Sequence, residues 1–297
     1  MSSPFRGIFP VVLTPYAEDG SVDAATLARE VDFSVDAGTH GLVFPVLGSE
    51  FQYLSDAERR AAVEVVVRQA GGRVPVVAGV AAPDPRAAAK HAAHAAGCGA
   101  DAVIALPPYP GQPGRDELLW YYRAIAEAAG RPVFIQHTHA GMDAAFIEGL
   151  LRDIPNVEYV KEESDPSAHQ ISALVARCGA VSSGVFGGAH GRWMLSELRR
   201  GATGFMPATE MTDVHVQIWE AWHAGNRERA RELFNRLLPL INLLGLLGLP
   251  VCKEVLVRRG VFASTATRVP GSVQLDDEDH RELDAILASL QPLLRVR

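Results

Sequence analysis

The chain of 297 residues is 48% hydrophobic and 21% charged, the balance of a folded globular protein and not of a disordered one, with length for one large α/β domain or a barrel with an appendage. Its formal charge of −7, from 28 basic and 35 acidic residues, leaves no broad cationic surface, so nucleic acid is not an expected partner. Cys98, Cys178 and Cys252 lie far apart and match neither a disulfide framework nor a zinc spacing, and the opening MSSPFRGIFPVVLTP lacks the pattern of an export signal, so a cytoplasmic location is expected.

In chain order, short β-rich runs alternate with alanine-rich helical stretches: GIFPVVLTP, THGLVFPV, VPVVAGV, DAVIALPP, PVFIQHT, VEYVKEE, AVSSGVFGG and TGFMPA. These eight runs are mostly apolar without strict alternation, as parallel strands buried on both faces are, and the segments between them are long enough for crossover helices. The strings AGTHGLVFP, AGCGADAVIAL and RGATGFMP place Gly38, Gly97 and Gly201 after a helix and before an apolar run, which reads as a helix cap feeding a strand. Their spacing gives about 27 residues per unit, so the expected fold class is α/β, a (β/α)8 TIM barrel. Ser55 and Glu58 have the spacing of a capping box, predicting a helix that starts there.

After the eighth run the β signal stops. RERARELFNRLLPLINLL, VCKEVLVRRG and DDEDHRELDAILASLQPLL predict a C-terminal extension of three helices, dividing the chain into a barrel over 1–224 and an extension over 225–297. The greasiest segment, Leu237 to Leu249, is interrupted by Pro239, Asn242 and two glycines and is shorter than the ~18 residues of a span, so no membrane association is expected.

Chemistry in such a barrel belongs at the C-terminal ends of its strands. Lys161 ends the sixth run, and a period of two puts Val157, Tyr159 and Lys161 on one face. If that face points inward, desolvation pulls the amine from ~10.4 toward ~7 to 8 and makes it a nucleophile for ketones. The competing reading is a lysine at a loop mouth, salt-bridged to Glu162 or Glu163.

From Gly7 to about Gly260 the chain resembles the dihydrodipicolinate synthase and N-acetylneuraminate lyase family of Schiff-base enzymes. The resemblance rests on the order and spacing of GIFPVVLTPY with DGSVD, GSEFQYLSDAER, the PPY of Pro107 to Tyr109, PVFIQ, YVKEES, GATGF and VCKEVLVRRG. It implies that Lys161 forms an imine with the C2 carbonyl of a 2-keto acid. Glu50 and Leu54 match the family's Gly-Thr-Thr-Gly-Glu signature and its following leucine, but both threonines are replaced, which leaves Ser49 and the backbone around Gly48 to hold the substrate carboxylate. Tyr109 matches the second tyrosine of the family's Pro-Tyr-Tyr, a proton-relay residue that can reach a partner subunit's site; packing of a proline-rich loop is the alternative.

At the fifth strand end the family's usual tyrosine is replaced by Gln136, followed by His137, Thr138 and His139, and the synthase arginine is absent from THAGMD. Glutamine cannot titrate. The position resembles the branch that dehydrates 2-keto-3-deoxy sugar acids, such as 2-keto-3-deoxyarabonate, with Gln136 binding a substrate hydroxyl or a water. His137, His139, Glu163 and Tyr109 are the candidate bases. Gly184, opening the glycine cluster GVFGGAHG, is expected to give backbone room for a small keto acid, a phosphate cradle being the alternative. His190 and His215 receive no role.

The expected function is therefore a Schiff-base lyase that dehydrates a 2-keto-3-deoxy sugar acid. Aldol cleavage or synthase-type condensation with pyruvate is the second reading, and a keto-acid binding protein without turnover the third. No cofactor is expected, and a metal route through His137 and His139 lacks a persuasive third ligand. A homo-oligomer, tetramer or dimer, is what the resemblance implies.

Overall fold

The computed structural model describes residues 5–109, 111–138 and 141–296. Eight parallel strands follow one another in the order of the chain: β1 (Gly7–Ile8), β2 (Leu42–Phe44), β3 (Val76–Gly79), β4 (Ala102–Ala105), β5 (Val133–His137), β6 (Val157–Glu162), β7 (Gly184–Gly187) and β8 (Gly204–Phe205). β1 pairs with β8, and the ring closes between β1 and β2 through Val12 N–H to the Val43 carbonyl (2.9 Å) and Val43 N–H to the Pro10 carbonyl (3.0 Å). The first run is much shorter as a strand than GIFPVVLTP suggests, because Pro10 has no N–H to give the ladder and pairing resumes only at Val11. The architecture is the expected (β/α)8 barrel.

Helices α1 (Ala24–Asp36), α2 (Asp56–Ala70), α3 (Pro85–Gly97), α4 (Arg115–Ala129), α5 (Ala144–Asp153), α6 (Ser167–Cys178), α7 (Met194–Arg199) and α8 (Thr212–His223) each follow the strand of the same number. Ser55 caps α2 as its spacing predicts: its hydroxyl accepts from Glu58 N–H (3.3 Å) and the Glu58 carboxylate accepts from Ser55 N–H (2.8 Å). Gly38 and Gly201 take the left-handed conformation after their helices, but in the second string Gly99 takes it and Gly97 is the last residue of α3.

Inside the ring a layer of Phe9, Phe134, Tyr159 and Phe186 fills the barrel, with Phe134 and Tyr159 stacked at 4.4 Å. Tyr159 therefore faces inward, and Lys161, two residues on, does too. Val157 does not join them. The β5–β6 register slips by one residue between Val133 and Phe134, and Val157 packs in the outer layer with Val133 and Val160.

The three helices of the extension are α9 (Arg227–Leu247), α10 (Leu249–Arg258) and α11 (Asp277–Leu290). They bind the barrel mouth as well as its flank. Lys253 of α10, fully buried, reaches Glu50 Oε1 (2.5 Å), the Thr14 carbonyl (2.9 Å) and the Ala266 carbonyl (2.5 Å). Glu50 sits at a left-handed φ of 59°, and its second oxygen accepts from the Thr267 hydroxyl and Arg268 N–H, each at 2.7 Å. The signature glutamate after β2 is thus a strut that fixes the loop carrying Gly48. Among the described residues no helix is long and apolar enough to cross a membrane.

Candidate active site

The ends of β5 and β6 set the site by alternation. Gln136 lies opposite Lys161 and His137 opposite Glu162, so the first pair points into the ring and the second away from it. Lys161 is 3% exposed, and its Nζ lies 3.0 Å from Glu163 Oε1. Glu163 Oε2 accepts a 2.5 Å hydrogen bond from Gln136 Nε2, and the Glu163 N–H donates to the His137 carbonyl at 2.9 Å. Lysine, glutamate and glutamine form one chain of contacts, and the Gln136 Oε1 at its end has no hydrogen-bond partner within the described protein.

Burial works to raise the Glu163 carboxyl. The Lys161 ammonium, the Gln136 amide and the Ala189 N–H together outweigh it and hold the group below the ordinary carboxylate value. Glu163 is therefore an ionised carboxylate placed against the amine. Its room depends on Gly188, where a Cβ would lie 2.4 Å from Glu163 Oε1.

Lys161 and Glu163 open on a cavity of about 190 Å³, walled also by Val46, Gly48, Met206 and His190. That volume suits a ligand smaller than a drug-sized molecule. His190 is the residue that sequence reasoning passed over. It follows β7 in a left-handed conformation (φ 54°), its carbonyl accepts from His215 Nε2 (3.0 Å), and its Nδ1 is buried without a hydrogen-bond partner. Burial, with His215 adding to it, pushes the imidazole down to about 4, so it is neutral at physiological pH. The rule that singled out Lys161, a polar residue just past a strand end, also applies to His190 within GVFGGAHG.

The other expected site residues are placed elsewhere. His137 Nδ1 meets Glu162 Oε2 at 2.7 Å behind the sheet, and Ser164 N–H and hydroxyl both donate to Glu162 Oε1. It borders a separate cavity of about 430 Å³ with Ser164 and Asp165, and the Lys161 cavity lies on the opposite face. The Ser49 hydroxyl is spent on the backbone, donating to the Val12 carbonyl (2.6 Å) and accepting from Val46 N–H (3.2 Å). Gly48 alone of that pair reaches the cavity wall.

Gly184 starts β7 beside Tyr159, two residues below the level of Lys161, where a Cβ would meet the Thr203 hydroxyl at 2.4 Å; its glycine serves strand packing. Tyr109 is 42% exposed, edge-on to Phe51 at 5.7 Å and outside the cavity lining. His139 lies outside the described residues.

Comparisons with known proteins place the chain in a family. The model of the dihydrodipicolinate synthetase family matches residues 4–290. L-2-keto-3-deoxyarabonate dehydratase of Azospirillum brasilense is 32% identical over 97% of this chain and 96% of its own length. A 4-hydroxy-tetrahydrodipicolinate synthase of Methanothrix thermoacetophila is 30% identical over 97% and 98%. Among solved structures, a putative dihydrodipicolinate synthetase from Pseudomonas aeruginosa superposes with a TM-score of 0.89 at 30% identity, covering 96% of this chain and 99% of that one. The chain belongs to the dihydrodipicolinate synthetase family, a family of lyases that act on small keto acids.

Proposed function

We propose that this protein dehydrates a 2-keto-3-deoxy sugar acid through an imine on Lys161. The observation that carries the reading is the buried chain Lys161–Glu163–Gln136, in which a base touches the amine and an amide stands where cleavage chemistry would want a phenol. Glu163 takes a proton from Lys161 as the amine attacks the C2 carbonyl and returns it to the carbinolamine hydroxyl, which leaves as water; the carboxylate is free again, and the protonated imine acidifies the C3 hydrogens. Glu163 then removes a C3 proton, the enamine pair expels the C4 oxygen, and the proton held by Glu163 completes the departing water. Hydrolysis of the conjugated imine returns Lys161.

Gln136 Oε1 is a free acceptor for the C4 hydroxyl, the backbone around Gly48 is the anchor for the carboxylate, and the neutral His190 ring faces the remaining hydroxyls. Similarity to the arabonate dehydratase supports the same reading. Tyr109, exposed at the mouth, is available to a partner copy in a homo-oligomer.

Aldol cleavage is the second reading, because the same Glu163 carboxylate could instead take the proton of a C4 hydroxyl. Incubation with 2-keto-3-deoxy pentonates and hexonates, with products weighed by mass spectrometry, separates the two. The expected product is the substrate less one water; release of pyruvate and an aldehyde would select cleavage.

A further inference from the structure

We propose that His190, Glu210 and Cys252 form a binding site for a zinc-class divalent cation at the wall of the Lys161 cavity, with three protein ligands and one coordination position to spare. The three come from distant parts of the chain: the loop after β7, the turn after β8, and α10 of the extension. Their donor atoms lie within 4.8 Å of one another. Glu210 and Cys252 are buried and His190 is part-buried, so this is an interior cluster and not a patch of surface acid.

Two of the three side chains carry polar atoms that no other side chain takes up. His190 Nδ1 and both carboxylate oxygens of Glu210 are buried with no hydrogen-bond partner elsewhere among the described residues. Polar groups left so are costly to bury. A dication here would accept lone pairs from a neutral imidazole, a carboxylate and a thiolate while the thiol proton leaves to solvent.

One nitrogen, one oxygen and one sulfur donor suit zinc rather than magnesium or calcium, which prefer oxygen. Bonds of about 2.0–2.3 Å hold tetrahedral ligand atoms about 3.5 Å apart, so the side chains would close in by roughly an ångström. Three protein ligands and an open position are the pattern of a site that binds a further ligand, and His190 already walls the substrate cavity. The other cluster of this kind, Glu64, His94 and Cys98 on α2 and α3, is more exposed and internally bonded, with His94 on Glu64 at 3.0 Å and Cys98 within 3.4 Å of His94; it serves as the control.

The test uses the full chain, stripped with chelator and titrated with cobalt(II), whose near-ultraviolet charge-transfer band reports thiolate ligation. One cobalt per chain with that band, displaced by zinc, is expected. Cys252→Ala should abolish the band and weaken zinc binding at least about 100-fold, and Glu210→Gln should weaken it roughly 10-fold or more, while Cys98→Ala should change neither. No band in the wild type, or a band that survives Cys252→Ala and vanishes in Cys98→Ala, overturns the site. A thermal melt confirms that Cys252→Ala is folded; if it is not, Glu210→Gln decides, unchanged cobalt binding refuting the proposal. None of these readouts depends on the imine chemistry.

Discussion

Two buried lysines, each on a glutamate, stand within this one fold in opposite surroundings. Lys253 is saturated: Glu50 and two carbonyls take its protons, the other Glu50 oxygen is held by Thr267 and Arg268, and the Tyr16 ring lies 4.7 Å away. Burial lowers its pKa and Glu50 opposes that fall, and Lys253 takes no part in the wall of the Lys161 cavity. Lys161 has one carboxylate partner at 3.0 Å and an open space of about 190 Å³ before it. Burial alone does not make a lysine a nucleophile. A base in contact and room for the electrophile do.

The largest expected effect breaks the reactive pair. Lys161→Arg keeps a cation beside Glu163 but cannot form an imine, and turnover on the keto acid should fall by roughly 10⁴-fold or more with the melting temperature little changed. A variant with measurable single-site turnover would contradict the comparison. Breaking the other pair should spare chemistry and damage the fold: Lys253→Met strands the Glu50 carboxylate and should cost about 3–5 kcal/mol in urea unfolding, while imine formation persists in the folded fraction. Equal stability to wild type would show that the strut is idle.

Glu163→Gln sharpens the role of the base. It should keep the shape of the site and lower kcat by about 10²- to 10⁴-fold in steady-state assays. Because Glu163 is held below the ordinary carboxylate value, the wild-type rate should show no loss from this group between pH 5 and pH 7, and its acid limb should lie lower still. An acid limb near neutrality would give the base role to another residue.

The smallest effect concerns Glu30, buried beneath the mouth, where it accepts from Leu13 N–H at 2.8 Å and from the Thr209 hydroxyl. Burial pushes its carboxyl up to about 8 from an ordinary 4.5. The folded state then holds this proton more tightly than the unfolded state, so its contribution is present below about 4.5 and lost as pH rises through about 8. Between pH 5 and pH 8, Glu30→Gln should lose less stability than wild type in urea titrations. Parallel pH profiles would refute the shift.

Much of this was legible in the sequence. Eight apolar runs with long connections predicted the closed parallel ring, and the period of two put Lys161 on one face with Tyr159, which the barrel turns inward, while its contact with Glu163 is one the sequence also offered. What failed was local detail that a period of two cannot carry: the slipped register turned Val157 outward, and His137, one residue beyond Gln136, necessarily faced the other way. Ser49 looked like an anion donor, but its hydroxyl is used to hold the turn it sits in. Contacts between distant segments were hidden altogether. Nothing in VCKEVLVRRG says that Lys253 meets Glu50 or that Cys252 comes within 4.8 Å of His190, since only the closed barrel brings a C-terminal helix to the mouth.

The most direct test is borohydride reduction in the presence of pyruvate, followed by peptide mapping of the adduct. The account predicts one reduced adduct per chain on the peptide carrying Lys161 and none on that carrying Lys253. An adduct on Lys253, or none at all from folded protein, would contradict it.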